Sequence, residues 1–166
     1  MTIEPLDPFR HERKSFDCGI EALNVFLRRQ AAQQSRKNNS RTYVLADSKH
    51  PERIIGFYAV TMIALEWPEL PENLAKRHRN AGGAALIARL AVDRRHQGKG
   101  LGELLLVDAL RRVHAASEMV GYPLLFVDAK SGARSFYEAY GFRPLANHPD
   151  RLFMTIAEIR RSMDGV

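Results

Sequence analysis

The chain has 166 residues, 45% of them hydrophobic and 27% charged, which is enough for one domain with its own core and too little for two ordinary ones. This composition excludes disordered and collagen-like chains, the apolar stretch at 59–65 is far short of the roughly 20 residues of a membrane helix, and the single Cys18 allows no internal disulfide. Twenty-five Lys and Arg against 19 Asp and Glu leave a formal charge of +6, which points to a polyanionic partner or to a solvated face that only aids solubility.

The N-terminus, Met1-Thr2-Ile3-Glu4-Pro5, shows neither a basic leader nor an apolar segment, so a cytoplasmic protein without a membrane partner is expected. Ile3 to Leu6 reads as a first strand. Ile20, Leu23, Leu27 and Ala31 recur at helical spacing, with Arg28, Arg29 and Gln33 on the other face. Arg41–Asp47 and Arg53–Glu66 are β-branched and aromatic runs around Ser48-Lys49-His50-Pro51, which predicts an antiparallel hairpin. Trp67–Asn80 reads as a loop or short helix closed by Gly82-Gly83, with Trp67 a packing anchor.

Ala84–Val92 is apolar except for Arg89 and predicts a strand buried on both faces. The following helix, from about Gly100 to Val120, places Leu101, Leu105, Ala109, Val113 and Ala116 on one stripe and ends at Gly121. Leu124–Val127 is a further buried strand, Ser131–Tyr140 a short helix stopped by Gly141, and Phe142 with Leu152–Ile156 the last strands before a polar tail that suits a terminal helix. Strand and helix patterns alternate without a linker or internal repeat, so the sequence reads as one α+β domain around a mixed sheet.

Positive charge is clustered. Between Arg28 and Arg41 stand five basic residues and no acid, and between Lys76 and Lys99 seven against Asp93 alone. The second cluster ends in Arg95-His96-Gln97-Gly98-Lys99-Gly100-Leu101-Gly102, where three glycines in five positions join a buried strand to an amphipathic helix. Such a turn lets successive N–H groups and the positive helix end converge on an anionic group, most simply a pyrophosphate. A Walker loop is excluded because Gly100 follows Lys99, and a dinucleotide fingerprint because Glu103 stands where a glycine or alanine is needed.

The Arg-x-x-Gly-x-Gly pattern at 95–100 resembles the acetyl-CoA pyrophosphate loop of the GNAT N-acetyltransferases. Ser135-Phe136-Tyr137-Glu138-Ala139-Tyr140-Gly141-Phe142 is similar to the helix of that family whose tyrosine protonates the departing coenzyme A thiolate. The resemblance implies a single GNAT-type domain over 1–166, with a mostly antiparallel twisted sheet, helices on both faces, and acetyl-CoA as cofactor without a metal. It places the coenzyme on Leu90, Ala91, Val92, Arg95, His96, Gln97, Gly98, Lys99, Gly100, Leu101, Gly102, Lys130, Ser135 and Phe136, and the acid at Tyr137. A phenol with pKa about 10 stays protonated to meet a thiolate whose own pKa lies near 8.5. Ala133, Tyr137 and Tyr140 also share one helical side, so simple packing is the alternative for Tyr137.

Phe16-Asp17-Cys18-Gly19, Leu23-Asn24-Val25-Phe26-Leu27, Arg41-Thr42-Tyr43-Val44, Gly56-Phe57-Tyr58 and Ala88-Arg89-Leu90-Ala91-Val92-Asp93 resemble the TacT/AtaT-type GNAT toxins over nearly the full chain. That resemblance implies acetylation of the α-amine of aminoacyl-tRNA and a ribbon-helix-helix antitoxin that brings the toxin to operator DNA. Arg28, Arg29, Arg36, Lys37, Arg77, Arg79 and Arg89 then become candidate tRNA contacts, and paired basic faces favour a homodimer. No carboxylate lies between Asn80 and Val92, so Glu66 and Glu69 are the nearest candidates for a base. An α-amine of pKa about 7.7–8.0 needs none. Asn24 is expected in solvent or in a local cap. Two other readings stay open: acetylation of a small amine or protein N-terminus, and a non-catalytic regulator that binds acyl-CoA or nucleic acid.

Overall fold

Arg41–Ala46 (β2) and Ile54–Ile63 (β3) pair antiparallel across the expected turn, from Arg41↔Val60 to Ala46↔Ile54. Thr2–Pro5 (β1) adds to β2 from Thr2↔Ala46 to Pro5↔Tyr43, with its proline at the strand end, where a missing N–H costs little. The computed structural model describes residues 1–65, 70–129 and 132–164. The chain divides into two compact units, Met1–Thr61 with Ala88–Ala109, and Met62–Ile87 with Leu110–Val166.

In the first unit the expected helix is broken into Glu21–Val25 (α1), a π-helical turn at Phe26–Gln30, and Ala31–Arg36 (α2). The amide of Ala31 reaches back five residues to the Phe26 carbonyl, so one extra residue is accommodated. Leu27 and Ala31 are buried as their spacing requires, and Phe26 joins them. These side chains meet Phe16, Val44 and Phe57, with Phe16 edge-on to Phe57 at 5.5 Å and Phe26 stacked on it at 6.2 Å.

Ala84–Val92 (β4) forms with the bounds the hydrophobic run gives, and Leu101–Val120 (α4) follows it. Gly56 lets α4 approach β3, because a Cβ there would lie 2.8 Å from Leu105 and 2.9 Å from the Ala91 carbonyl. The same contact is tied by the buried Tyr58 hydroxyl, which donates to Asp108 at 2.6 Å. Leu105, Leu106, Ala109 and Val113 are the buried side of α4, whereas Ala116, expected on it, is exposed. A step of four from Val113 leads to the half-buried Ser117 instead, whose hydroxyl donates to the His114 carbonyl.

In the second unit, Leu124–Asp128 (β5) pairs parallel with β4 from Ala85↔Leu125 to Ile87↔Val127, and antiparallel with His148–Thr155 (β7). Arg143–Leu145 (β6) pairs antiparallel with β7. The seven strands follow the order β1-β2-β3-β4-β5-β7-β6, a mixed and mostly antiparallel sheet. Within Trp67–Asn80, where a loop or short helix was expected, Glu72–Arg77 (α3) forms a helix, and Trp67 lies outside the described residues. The helix expected over 131–140 is confined to Arg134–Glu138 (α5), with Gly141 at φ +95° just beyond it. Phe142 precedes β6 rather than entering a strand, and the polar tail forms Ile156–Met163 (α6), capped by the Thr155 hydroxyl.

Candidate functional site

The segment after β4 is held from below by one buried carboxylate. Asp93 has no exposed surface, and its Oδ1 accepts from the Arg95 amide at 2.9 Å and Arg95 Nε at 3.0 Å. Its Oδ2 accepts from Arg95 Nη2 at 3.2 Å and the Asp17 amide at 3.1 Å. Burial alone would push this carboxyl up, but the Arg95 guanidinium and the two amides outweigh it and hold the group below its ordinary value. Gln97 adds a second tie by donating to the carbonyls of Val92 at 2.8 Å and Cys18 at 3.1 Å.

These bonds strap the Phe16–Gly19 segment to the turn. Arg94 donates its amide to the Asp17 carbonyl at 2.8 Å and its guanidinium stands 3.4 Å from the Asp17 carboxylate. Asn24, expected in solvent or as a local cap, is instead buried within α1 and ties the preceding loop: its amide oxygen accepts from Cys18 N–H, and its NH2 donates to Asp17 Oδ1, both at 2.9 Å. Cys18 is itself buried, and desolvation pushes its thiol up, so it stays neutral.

Gly98 and Gly100 sit at φ +77° and +78°, the left-handed region that side chains avoid, directly before the 20-residue helix α4. A Cβ at either would meet nothing within 4 Å among the described residues, so backbone conformation, not packing, calls for glycine there. Lys99, Gly98 and Gly100 are exposed, His96, Leu101 and Gly102 half-buried. Gly102 lies inside α4. The Arg95 side chain is 56% exposed, yet its guanidinium is engaged by Asp93. Open space, left-handed glycines and the start of a long helix, whose first amides have no partner within the helix itself, fit a diphosphate. The parallel register of β4 with β5 stops at Ile87, so Leu90, Ala91 and Val92 lie past its last pair.

The first unit also holds a cavity of about 240 Å³ lined by Phe26, Gln30, Gln34, Ser40, Thr61 and Arg89, among others. The π turn places Phe26 and Gln30 on this wall, which regular helical spacing does not foretell. The Arg89 guanidinium lies 3.8 Å above the Phe26 ring, a cation–π contact that fixes its direction. The Ser40 hydroxyl is buried without a hydrogen-bond partner among the described residues. Amides, hydroxyls and one cation line this wall. No carboxylate or imidazole does among the described residues, so nothing there can take a proton from an incoming amine.

In the second unit Tyr137 is 2% exposed on α5. Its ring meets Phe136 at 5.1 Å and Phe142 at 5.6 Å, both edge-on, and its carbonyl accepts from the Phe142 amide at 3.3 Å. Desolvation, then the nearby Asp128 carboxylate, pushes the phenol well above its ordinary value, so it keeps its proton at any working pH. Asp128 accepts from Arg151 Nε at 3.0 Å. Ser135 is exposed and Phe136 half-buried, while Lys130 and the base candidates Glu66 and Glu69 lie outside the described residues.

The basic candidates divide by environment. Arg29, Arg36, Lys37, Arg77 and Arg79 are exposed. Arg28 is half-buried and donates to the Phe16 carbonyl at 3.0 Å and to Glu21 at 3.4 Å, so much of its donor capacity is used within the fold. In the sequence Asp93 reads only as the lone acid of a basic run and the end of the 88–93 segment, and its partner Asp17 stands 76 positions away.

A family model for the acetyltransferase (GNAT) domain matches residues 38–144. A probable TacT toxin of Sinorhizobium fredii is 35% identical over 171 residues, spanning 97% of this chain and 94% of that protein. A tRNA-acetylating toxin of Mycobacterium tuberculosis is 31% identical over 147 residues, 88% of this chain and 87% of its own length. Among solved structures, AtaT complexed with acetyl-methionyl-tRNAfMet matches with TM-score 0.87 and 32% identity over 98% of each chain.

Proposed function

The chain belongs to the GNAT acetyltransferases, and from that premise we propose that it moves the acetyl group of acetyl-CoA onto the α-amine of an aminoacyl-tRNA, as the toxin of a type II toxin–antitoxin pair that blocks translation. The observation that carries the reading is the open, doubly left-handed turn at Gly98 and Gly100 before α4, tied down by a buried Asp93. Bound there, acetyl-CoA supplies an activated acyl group as a thioester.

The residues then divide the work. Amides of 98–102 hold the diphosphate, with His96 and Lys99 beside them and Arg95 and Gln97 fixing the turn through Asp93 and the Val92 carbonyl. Backbone groups of Leu90, Ala91 and Val92 receive the pantetheine arm, and Lys130, Ser135 and Phe136 complete the coenzyme contacts. The Tyr137 hydroxyl stays protonated and donates to the sulfur as the carbon–sulfur bond breaks. Because its pKa is raised, full transfer to a thiolate of pKa near 8.5 is uphill, so its part is a strong hydrogen bond. The proton lost by the attacking amine balances the one the thiolate gains.

The cavity beside Arg89 suits an amine that arrives neutral. An α-amine of pKa about 7.8 is neutral roughly 340 times more often at pH 7 than a lysine of pKa about 10.4. The Arg89 cation also disfavours the ammonium form. Arg28, Arg29, Arg36, Lys37, Arg77 and Arg79 provide charge for a tRNA backbone.

The solved complexes of AtaT with its antitoxin AtaR, with acetyl-CoA and with DNA support the partners. We also propose a cytoplasmic homodimer, in which paired basic faces give one long tRNA surface and residues 1–166 of each chain act as one domain. A ribbon-helix-helix antitoxin holds it inactive and carries it to operator DNA. The test incubates purified protein with labelled acetyl-CoA and charged tRNA. Label in charged but not in deacylated tRNA is expected, and label in neither refutes the reading.

A further inference from the structure

The second unit carries a cavity of about 430 Å³ of which only Arg77 has a part in the steps above, within the roughly 300–1,000 Å³ of small-ligand sites. Three arginines reach it from separate elements: Arg77 at the end of α3, Arg143 from β6 and Arg161 from α6. One carboxylate among the described lining residues faces them, Glu158, and it is already occupied. It accepts from Arg143 at 2.5 Å and from the Thr155 hydroxyl at 3.0 Å. Arg77 and Arg161 therefore leave an excess of positive charge, and both are exposed.

The helix start is not what draws an anion here. The Ile156 amide donates to the Pro123 carbonyl at 2.8 Å and the Glu158 amide to the Thr155 hydroxyl at 3.0 Å, so these donors are satisfied. The guanidinium groups are the anion binders, and guanidinium is the group best matched to phosphate oxygens. The remaining wall is of another kind. Leu74 and Ile156 are apolar, and His78 is half-buried with its pKa pushed down, by desolvation first and Arg77 second, so the ring is neutral near pH 7. A neutral ring beside aliphatic surface suits the flat face of a base.

We propose that this cavity takes one nucleotide of the RNA acceptor, its phosphate on Arg77 and Arg161 and its base against His78. The inference rests on the tRNA reading above, which already counts Arg77 as a backbone contact, and adds to it Arg161, which lies outside both basic runs of the sequence, and the cavity that joins the two. Exposure of the Arg77 and Arg161 side chains, for which no ion pair is found among the described residues, favours a polymer passing over the cavity, in place of a small nucleotide enclosed within it.

Arg161→Glu and Arg161→Lys test it in the full-length protein. Affinity for tRNA is read by filter binding over a salt series, and acetylation by KM and kcat for charged tRNA. Arg161→Glu is expected to weaken tRNA binding and raise KM by about tenfold with kcat nearly kept, and to lower the salt slope by about one. Arg161→Lys should recover most of the affinity. Unchanged affinity and salt slope in Arg161→Glu overturns the proposal, whether or not the wild type acetylates tRNA. Lost binding in the variant with no acetylation by the wild type keeps the cavity and refutes the enzymatic reading. Calorimetry with AMP separates the sources: heat that Arg161→Glu abolishes while tRNA affinity stays unchanged assigns the cavity to free nucleotides and overturns the RNA contact.

Discussion

Replacing Asp93 by asparagine tests whether one buried carboxylate shapes the anion turn. The amide keeps the volume and one acceptor oxygen for the Arg95 amide and Nε. In place of Oδ2, however, it sets an NH2 against two other donors, Arg95 Nη2 and the Asp17 amide. The Arg95 side chain is 56% exposed and can turn to water, whereas the Asp17 amide loses its partner. A lost charge-assisted bond plus an unsatisfied amide costs about 2–3 kcal/mol, a fall in Tm of roughly 5–10 °C for a chain of this size. Thermal melts by circular dichroism measure this, and titration calorimetry should find coenzyme A affinity reduced about tenfold as the turn loses its shape. The sign with pH is fixed as well. The folded Asp93 carboxyl lies below its unfolded value near 3.8, so its stabilisation is complete above that pH and disappears as pH falls through the folded value. The gap in Tm between wild type and variant must therefore close in acid. A variant whose Tm is within about 1 °C of wild type at neutral pH, with coenzyme affinity intact, would refute the reasoning.

Tyr137→Phe removes a hydroxyl from a buried ring that keeps its edge-on contacts, so the fold should persist while kcat falls about 10²–10³-fold, the loss of one donor to developing negative charge; equal rates remove Tyr137 from the chemistry. For the wild type, kcat/KM should rise to a plateau near the α-amine pKa of about 8 and stay level past pH about 10, because the phenol keeps its proton. An alkaline fall below that pH contradicts the assignment. Gly100→Ala places a side chain at φ +78° and should cost about 1 kcal/mol together with most coenzyme affinity. Gly82→Ala, with no atom within 4 Å of its Cβ and no left-handed φ, should melt within about 2 °C of wild type and bind coenzyme normally.

Features set by neighbours in the chain were readable from the sequence. The strand at 84–92, the left-handed glycines and the helix to Val120 follow from a run of apolar residues, a turn and a 3.6-residue period. Features set by distant partners were not. Nothing near Asp93 in the chain names Asp17, 76 positions away, as the donor its second carboxylate oxygen will meet. Charge counting also treats every cation as free, whereas Arg28 and Arg95 use their donors inside the fold. The π turn at Phe26–Gln30 leaves no mark in composition, although it sets which residues line the cavity beside Arg89.

The most direct measurement of the central claim is the mass of the aminoacyl-adenosine released by ribonuclease from charged tRNA after incubation with the protein and acetyl-CoA. The structure and chemistry above predict one added acetyl group, on the α-amine of the amino acid, formed by the wild type and nearly absent with Tyr137→Phe. An unmodified aminoacyl-adenosine, or an acetyl group found elsewhere on the RNA, contradicts it.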